Sequence, residues 1–193
     1  METNPLILAS TSPFRRELLE RLGLPFETAA PDIDESRLEN ESAPALVRRL
    51  AEAKAHAVAA CHRGLIIGSD QVATTGDCIL GKPGTHERAA EQLRRLSGER
   101  VIFQTGLCLL NSETGYLQTD MVPFTVRFRI LDAQRIERYL RRDKPYDCAG
   151  SFKSEGLGIT LFEAMEGQDP TALIGLPLIR LTTMLVNEGI VLP

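Results

Sequence analysis

Short apolar runs along the chain alternate with segments in which apolar residues recur every three or four positions. The runs predict strands at 6–9, 26–29, 65–67, 101–110 and 117–130. The longer periodicity predicts helices at 13–22, 44–60, 85–96, 132–141 and 177–189. The segment "ATTGDCILGKP" indicates a hairpin that turns at Gly76 and Asp77. Because strands and helices alternate, we expect an α/β fold.

The composition is that of an ordinary globular protein. The 193 residues suit one domain, with two lobes around a shared core. The chain has 26 acidic and 22 basic residues, which gives a net charge of -4. This acidic balance argues against a nucleic-acid-binding protein. We find neither a signal peptide nor the ~20 apolar residues of a membrane span. The four cysteines lack zinc-site or disulfide spacing, so we expect reduced thiols and a cytoplasmic location.

The segment "LILASTSPFRRELL", residues 6–19, joins a predicted strand directly to a predicted helix. A helix N-terminus has unpaired N–H groups and a positive partial charge, and it therefore attracts anions. Ser10 and Ser12 add hydroxyl groups, and Arg15 adds a guanidinium that can bind phosphate through two hydrogen bonds. The turn therefore fits a phosphate site. The alternative is that Ser12 only caps the helix and that the arginines are solvated.

Charged residues near the ends of other predicted elements suit the same chemistry. Asp70 follows the apolar run 65–67, and ligand sites of α/β sheets gather at the C-terminal ends of strands. A carboxylate there can hold a divalent metal or accept a proton from water. Lys54 and Lys82 can each offer a point charge to phosphate, and "AGSFKSEG" combines glycines with Glu155. Each of these residues also has an ordinary interpretation, as a solvated side chain or part of a flexible loop.

Read from the residues alone, the chain is an α/β protein with sites for phosphate and metal, and no reaction follows. It contains neither G-x-x-x-x-G-K-[ST] nor a strand-linked G-x-G-x-x-G, which excludes the common phosphate-binding loops.

Several segments together resemble the Maf family of nucleoside triphosphate pyrophosphatases. The matching segments are "LILASTSPFRRELL", "DIDE", "AEAKA", "IIGSDQV", "GKP", "CAGSFKSEGLGITLFE" and "DPTALIGLPL". They occur in the family order and span residues 6 to 178. The resemblance implies a Maf/ITPase-like α/β fold, with an elongated, twisted mixed sheet flanked by helices and a deep central cleft.

The resemblance also implies a reaction and a set of site residues. Such enzymes cleave a nucleoside triphosphate between its α- and β-phosphates and need a divalent metal, magnesium or manganese. Asp70 matches the proton acceptor, and Asp70 and Glu35 are the implied metal ligands. The implied substrate-binding residues are Ser10, Ser12, Phe14, Arg15, Glu35, Lys54, Gln71, Lys82 and Glu155. The implied partner is a small-molecule nucleotide, without nucleic acid or membrane, and the resemblance is compatible with a homodimer.

The choice of base follows from a narrower resemblance, to the branch of the family that acts on 7-methyl-GTP. Methylated guanine is cationic, so the face of Phe14 would attract it and the Glu155 carboxylate would accept its N–H groups. Gln71 would help to shape this base pocket. The branch usually has tryptophan where this chain has Phe14, and tryptophan attracts a cation more strongly.

Two alternatives remain at this point. The chain is either an enzyme of this family with dTTP or UTP as substrate, or a non-catalytic nucleotide sensor or cell-division regulator that uses the same cleft.

Overall fold

Strands and helices alternate along the chain as the apolar pattern predicts, and the computed structural model describes residues 4–76 and 78–192. The strands are β1 (Leu6–Ala9), β2 (Phe26–Ala29), β3 (Leu65–Thr75), β4 (Cys78–Leu80), β5 (Arg100–Asn111), β6 (Leu117–Phe128) and β7 (Phe162–Gly167). The helices are α1 (Pro13–Glu20), α2 (Ala43–Ala59), α3 (His86–Leu96), α4 (Ala133–Asp143) and α5 (Leu178–Asn187). Short 3-10 helices occupy Ala149–Ser151, Leu157–Leu161 and Pro170–Leu173.

The strands form one mixed sheet in the order β2-β1-β3-β5-β6-β7, with β4 paired to β3. Strand β1 pairs in parallel with β2 and β3, whereas β3–β4 and β6–β7 are antiparallel. This confirms the predicted α/β class and mixed sheet. Within the described ranges, no helix combines the length and apolar character that crossing a membrane requires.

Strand β3 is much longer than the predicted run 65–67, and the expectation that Asp70 ends this strand was wrong. The first half of β3 pairs with β1 as far as Ile67, and the second half pairs with β4 from Ala73 to Thr75. The apolar run marks only the first half, because the later residues are small or polar and depend on pairing with a distant segment. The hairpin is confirmed by the Thr75–Cys78 pair, although Asp77 of its predicted turn lies outside the described residues.

The chain divides into two compact units. The first contains the described residues of 1–71, 104–122 and 169–193, and the second contains those of 72–103 and 123–168. In the second unit, four aromatic rings pack edge to face, with centroids 4.8 to 5.6 Å apart; they belong to Phe103, Phe128, Phe152 and Phe162. The predicted arrangement of two lobes around one cleft stays a prediction.

Both faces of the sheet are covered in the first unit, because successive strand residues point to opposite faces. Leu6 and Leu8 of β1 pack in one cluster with apolar residues of α1 and α5. Ile7 and Ala9 pack in a second cluster with Ala51, Ala55 and Val58 of α2. The first unit is therefore a three-layer arrangement, with helices on each side of buried parallel strands.

Two glycines of the sheet let α2 approach closely. A Cβ atom at Gly68 would lie 2.0 Å from the carbonyl oxygen of Ala51, and one at Gly106 would lie 2.1 Å from that of Val47. Any side chain at these positions would force the helix backbone away from the sheet. The separation between α2 and the sheet therefore depends on glycine at both places.

We expect Gly68→Ala to lower the free energy of unfolding by about 1–3 kcal/mol, because the added methyl group overpacks the contact with α2. Urea denaturation measures the change. Gly81→Ala is the control, since nothing lies within 4 Å of a Cβ at that position; its effect should stay within about 0.5 kcal/mol. Equal losses in the two variants would contradict the close approach of α2.

Candidate active site

A buried lysine lies at the centre of the candidate site. Lys54 is a residue of α2, and it is only 5% exposed. Its Nζ atom lies 2.7 Å from Oδ1 of Asp70 and 2.6 Å from Oε1 of Glu35. A buried ammonium is tolerated only when it is paired, and here two carboxylates share it. Three predicted site residues, separated along the sequence, are thus brought together.

Strand β3 places Asp70 opposite Lys54. Ile66, Gly68 and Asp70 occupy every second position of the strand and therefore point to the same face. Ile66 packs with apolar residues of α2, so this face is the one that α2 covers. The neighbouring parallel strand β1 has already ended at Ala9, so Asp70 lies beyond its C-terminal end, where ligand sites of parallel sheets form. Asp70 is 8% exposed, and its Oδ2 atom makes no hydrogen bond with the described part of the chain. This oxygen can accept a hydrogen bond from a water molecule.

The turn between β1 and α1 is tightly hydrogen-bonded. Ser10 is buried, and its Oγ atom accepts hydrogen bonds from the backbone N–H of Ser12 and from the Arg15 guanidinium. Ser12 caps α1, since its Oγ atom accepts from the N–H of Arg15 at 3.4 Å. Capping and phosphate binding do not exclude each other, because a hydroxyl group that accepts one hydrogen bond can still donate another.

The helix start offers fewer free N–H groups than an ordinary N-terminus. Pro13 has none, and the N–H groups of Arg15 and Arg16 donate to Ser12. In the described chain, only the N–H of Phe14 has no partner among the first four residues of α1. The anion-binding capacity of this turn therefore depends mainly on hydroxyl groups and on the Arg15 guanidinium.

Arg15 is oriented by a backbone carbonyl far along the chain. Its Nε atom donates to the oxygen of Gly175 at 2.9 Å, and the hydroxyl of Ser69 is 2.9 Å from the same oxygen. Burial lowers the pKa of the Arg15 guanidinium from its ordinary value, and the nearby carboxylates of Asp70 and Glu35 oppose this effect. Arginine stays charged at neutral pH, so this guanidinium is a fixed cation beside the two carboxylates.

Gln71 points to the same segment as Ser69, because the two residues share one face of β3. Its Nε2 atom donates to the carbonyl oxygen of Ala172 at 2.6 Å and to the Thr105 hydroxyl at 2.9 Å. Thr105 is fully buried and also bonds to Ala172. The amide nitrogen of Gln71 thus holds the segment 169–178 in place, and its role in base selection stays a prediction.

Asp169 anchors the other end of this segment. It is 2% exposed, and its carboxylate accepts hydrogen bonds from the N–H groups of Thr171, Ile179 and Arg180. Sequence reasoning did not single out Ser69, Thr105 or Asp169 as site residues. The "DPTALIGLPL" match was the signal for Asp169, while Ser69 and Thr105 had none beyond their places on predicted strands.

The acidic segment 32–43 contains no helix or strand before α2 begins at Ala43, but it is anchored. Arg49 of α2 binds the Glu41 carboxylate through two nitrogens, at 2.6 and 2.9 Å, and also donates to the carbonyl oxygen of Ser36. The hydrogen bond from Arg49 lowers the pKa of Glu41 to about 2. These contacts hold the backbone that follows Glu35, which helps an otherwise exposed side chain to reach Lys54.

Phe14 lies in the first turn of α1 and is partly exposed. Among the described residues it belongs neither to the two apolar clusters of the first unit nor to the side chains packed against them. The core contacts among the described residues therefore do not assign Phe14 a packing role.

Lys82 and Glu155 both belong to the second unit and are exposed. Burial raises the pKa of the Cys148 thiol. The Lys82 ammonium lowers this pKa and the Glu155 carboxylate raises it, so both charged groups are close enough to Cys148 to influence the same thiol. The N–H of Gly84 donates to the carbonyl oxygen of Tyr146 at 2.9 Å, which ties the loop of Lys82 to the loop of Cys148. The predicted substrate contacts of Lys82 and Glu155 stay predictions.

The donor set suits a divalent cation that arrives with a polyphosphate. Residues 4–76 and 78–192 contain no group of three acidic, histidine or cysteine side chains arranged as a metal cage. Magnesium, however, is usually bound by one or two carboxylates together with substrate phosphates and water. Asp70 and Glu35 converge on one point and offer such a pair. The residues present therefore fit the ion implied by the resemblance.

Comparisons with known proteins identify the family and several relatives. A family model described as Maf-like protein matches residues 5–188. A Pseudomonas fluorescens protein named 7-methyl-GTP pyrophosphatase is 62% identical over 190 residues, which cover 98% of this chain and 99% of that protein. A Nitrosococcus oceani protein of the same name is 59% identical and covers 95% and 93% of the two chains. The solved Staphylococcus aureus Ham1 protein has a TM-score of 0.45 at 17% identity, over 66% of this chain and 72% of its own.

The anchor of segment 32–43 gives a pH prediction. Because the folded pKa of Glu41 is depressed, the Glu41–Arg49 contact contributes stability that is complete above the ordinary pKa of 4.5 and is lost as the pH falls toward about 2. The N–H of Leu38 donates to Glu41 Oε2, so its NMR shift should titrate with a midpoint near 2. This titration should be missing in Glu41→Gln. A midpoint at the ordinary pKa in the native chain would contradict the anchor.

Proposed function

The chain belongs to the Maf family, and on this premise we propose that it hydrolyses 7-methyl-GTP to 7-methyl-GMP and diphosphate. One observation carries the proposal: Asp70, whose Oδ2 atom makes no hydrogen bond with the described residues, shares a buried ammonium with Glu35 in the unit that also contains the Ser10–Arg15 turn. The names of relatives at 59 to 62% identity support the enzyme over a non-catalytic regulator, and 7-methyl-GTP over dTTP or UTP.

The reaction needs a base near the phosphates. A water oxygen forms a bond to the α-phosphorus, the bond from that phosphorus to the α–β bridging oxygen breaks, and diphosphate leaves with the bridging oxygen. The Oδ2 atom of Asp70 accepts a proton of the attacking water, while the Oδ1 atom stays bonded to Lys54. Lys54 thereby fixes the orientation of the carboxylate and leaves one oxygen for chemistry.

Charge neutralisation is the second requirement, since phosphoryl transfer depends largely on positioning and electrostatics. The Arg15 guanidinium is held by Gly175 through Nε and has further N–H groups for two phosphate oxygens. The hydroxyl groups of Ser10 and Ser12 add donors in the same turn. Lys82 is the proposed further cation for the leaving diphosphate.

A divalent magnesium or manganese ion is part of the proposal, with Asp70 and Glu35 as its protein ligands. When bound, it would neutralise phosphate charge and withdraw electrons from the scissile linkage. Segment 32–43 brings Glu35 to this point through the Arg49 anchor. The proposal also places the protein in the cytoplasm, where its substrate would be found.

We propose that the aromatic face of Phe14 and the carboxylate of Glu155 recognise the base of the nucleotide. The ring of Phe14 is free of the core clusters and is located one residue before Arg15, so a nucleotide bound at Arg15 would bring its base into reach of this turn. A methylated guanine carries a positive charge that is attracted to the ring face. Glu155 is the proposed acceptor for the N–H groups of the base.

Asp70→Asn tests the reaction. We expect kcat for diphosphate release from 7-methyl-GTP to fall about a hundredfold or more, because the amide cannot accept the proton. The matched control is Asp147→Asn, an exposed carboxylate in the second unit, which should keep full activity. If folded wild-type protein released no diphosphate from 7-methyl-GTP or unmodified triphosphates, with magnesium or manganese present, the proposed function would be wrong.

Phe14→Leu tests base selection separately from the reaction. A cation–π contact contributes about 0.5–2 kcal/mol, so the ratio of kcat/KM for 7-methyl-GTP over GTP should fall roughly 2- to 30-fold. Activity on GTP should change little, since its base is neutral. Phe14→Trp should raise the same ratio. An unchanged ratio in both variants would show that another residue recognises the methylated base.

A further inference from the structure

Helix α4 lines an open pocket of about 610 Å³ in the second unit with four arginines. Arg135, Arg138, Arg141 and Arg142 contribute to its wall, and the remaining lining consists of Tyr139 and residues of the 3-10 helix Leu157–Leu161. None of the described residues that line the pocket is acidic. Such a concentration of positive charge is unexpected in a chain whose net charge is -4.

Most of this charge is not neutralised by other residues between positions 4 and 76 or 78 and 192. The Arg135 guanidinium donates to the carbonyl oxygen of Thr160 at 2.6 Å, which fixes its position but does not offset its charge. Arg141 pairs with Glu137, but Glu137 is also 2.8 Å from His86. In the part of the chain that the structure describes, neither Arg138 nor Arg142 has an ion-pair or hydrogen-bond partner.

The arrangement of the arginines suits a phosphate group. Arg138 and Arg142 are four residues apart on one helix, so their Cβ atoms lie about 5–6 Å from each other and both guanidiniums can reach one anion. Like charges at this spacing destabilise a helix, and a bound anion relieves the repulsion. Guanidinium groups bind phosphate with paired, charge-assisted hydrogen bonds. A phosphate therefore satisfies both the charge and the geometry of this pair.

The rest of the pocket indicates that the ligand has an apolar part. Leu157 is a partly exposed apolar residue of its lining, and the aliphatic stems of the arginines add further apolar surface. The volume falls within the range of about 300–1,000 Å³ that is typical of small-molecule sites, and it exceeds the needs of an inorganic ion. We propose that this pocket binds an organic phosphate, a small molecule with a phosphate group on an apolar or aromatic body.

This site does not depend on the proposed function. None of the lining residues is assigned to the proposed reaction; Asp70, Lys54 and Arg15 belong to the first unit, while Lys82 and Glu155 share the second unit with the pocket but do not line it. The pocket can therefore be filled or removed without a change in the residues assigned to catalysis.

Calorimetric titration of the full chain with GMP tests the proposal. We expect two GMP-binding events in wild-type protein, one at the candidate active site and one at the arginine pocket. Arg15→Gln should remove the first. Arg138→Gln/Arg142→Gln should weaken the second roughly a hundredfold, because two charge-assisted hydrogen-bond donors are removed. The control variant Arg63→Gln/Arg94→Gln removes the same charge from exposed positions outside the pocket and should retain both events. Guanosine, which has no phosphate, should not bind the pocket.

Thermal unfolding gives a second measurement that does not depend on activity. Without ligand, Arg138→Gln/Arg142→Gln should unfold at no lower a temperature than wild type, since repulsion within α4 is reduced. GMP should raise the unfolding temperature of Arg15→Gln but not of the triple variant that adds Arg138→Gln and Arg142→Gln. The proposal is overturned if the pocket variant binds GMP as the control does, or if only a single-stranded oligonucleotide binds the pocket.

Discussion

The candidate site depends on one buried ammonium group and the two carboxylates that share it. Lys54 connects α2 with β3 through Asp70, and with the acidic segment through Glu35. Leaving one charge of such a buried pair without its partner typically costs about 3–5 kcal/mol, so the three side chains constrain one another. The contact also needs α2 to lie close to the sheet, which the absence of side chains at Gly68 and Gly106 permits. A steric feature of the fold thus underlies an electrostatic feature of the site.

Strand β3 distributes the functional contacts between its two faces. Gly68 and Asp70 point toward α2, whereas Ser69 and Gln71 bond to carbonyl groups of segment 169–178. That segment orients Arg15 through the carbonyl oxygen of Gly175, and Asp169 fixes it to the start of α5. Asp70 and Ser69 are adjacent on one strand and point to opposite faces, so one fixes the proposed base while the other bonds to the segment that orients Arg15, whose guanidinium lies near the Asp70 carboxylate.

The elements that could be predicted from sequence are those whose signal is local. The strand at Leu6–Ala9, the cap at Ser12 and helix α2 follow from apolar periodicity and capping chemistry, and the structure has all three. The second half of β3 lacks that signal because its pairing partner is a separate segment. Likewise, no spacing rule brings Lys54 to Glu35 and Asp70, and only the family resemblance grouped these residues before the structure placed them together. Ser69 and Thr105 donate hydrogen bonds to carbonyl groups far away along the sequence, so their roles could not be predicted from the local pattern of apolar and polar residues.

The charges at the site explain why a metal belongs in the proposed reaction. In the free protein, the carboxylates of Asp70 and Glu35 balance the cations Lys54 and Arg15, so the four groups together are close to neutral. A triphosphate adds several negative charges beside these carboxylates, and repulsion at short range in a partly buried site is strong. The side chain of Glu35 is 58% exposed, compared with 11% for Asp70, so Glu35 can move from Lys54 at less cost in packing. A divalent cation that binds both carboxylates together with the phosphates restores the balance, while Lys54 continues to hold Asp70 in place.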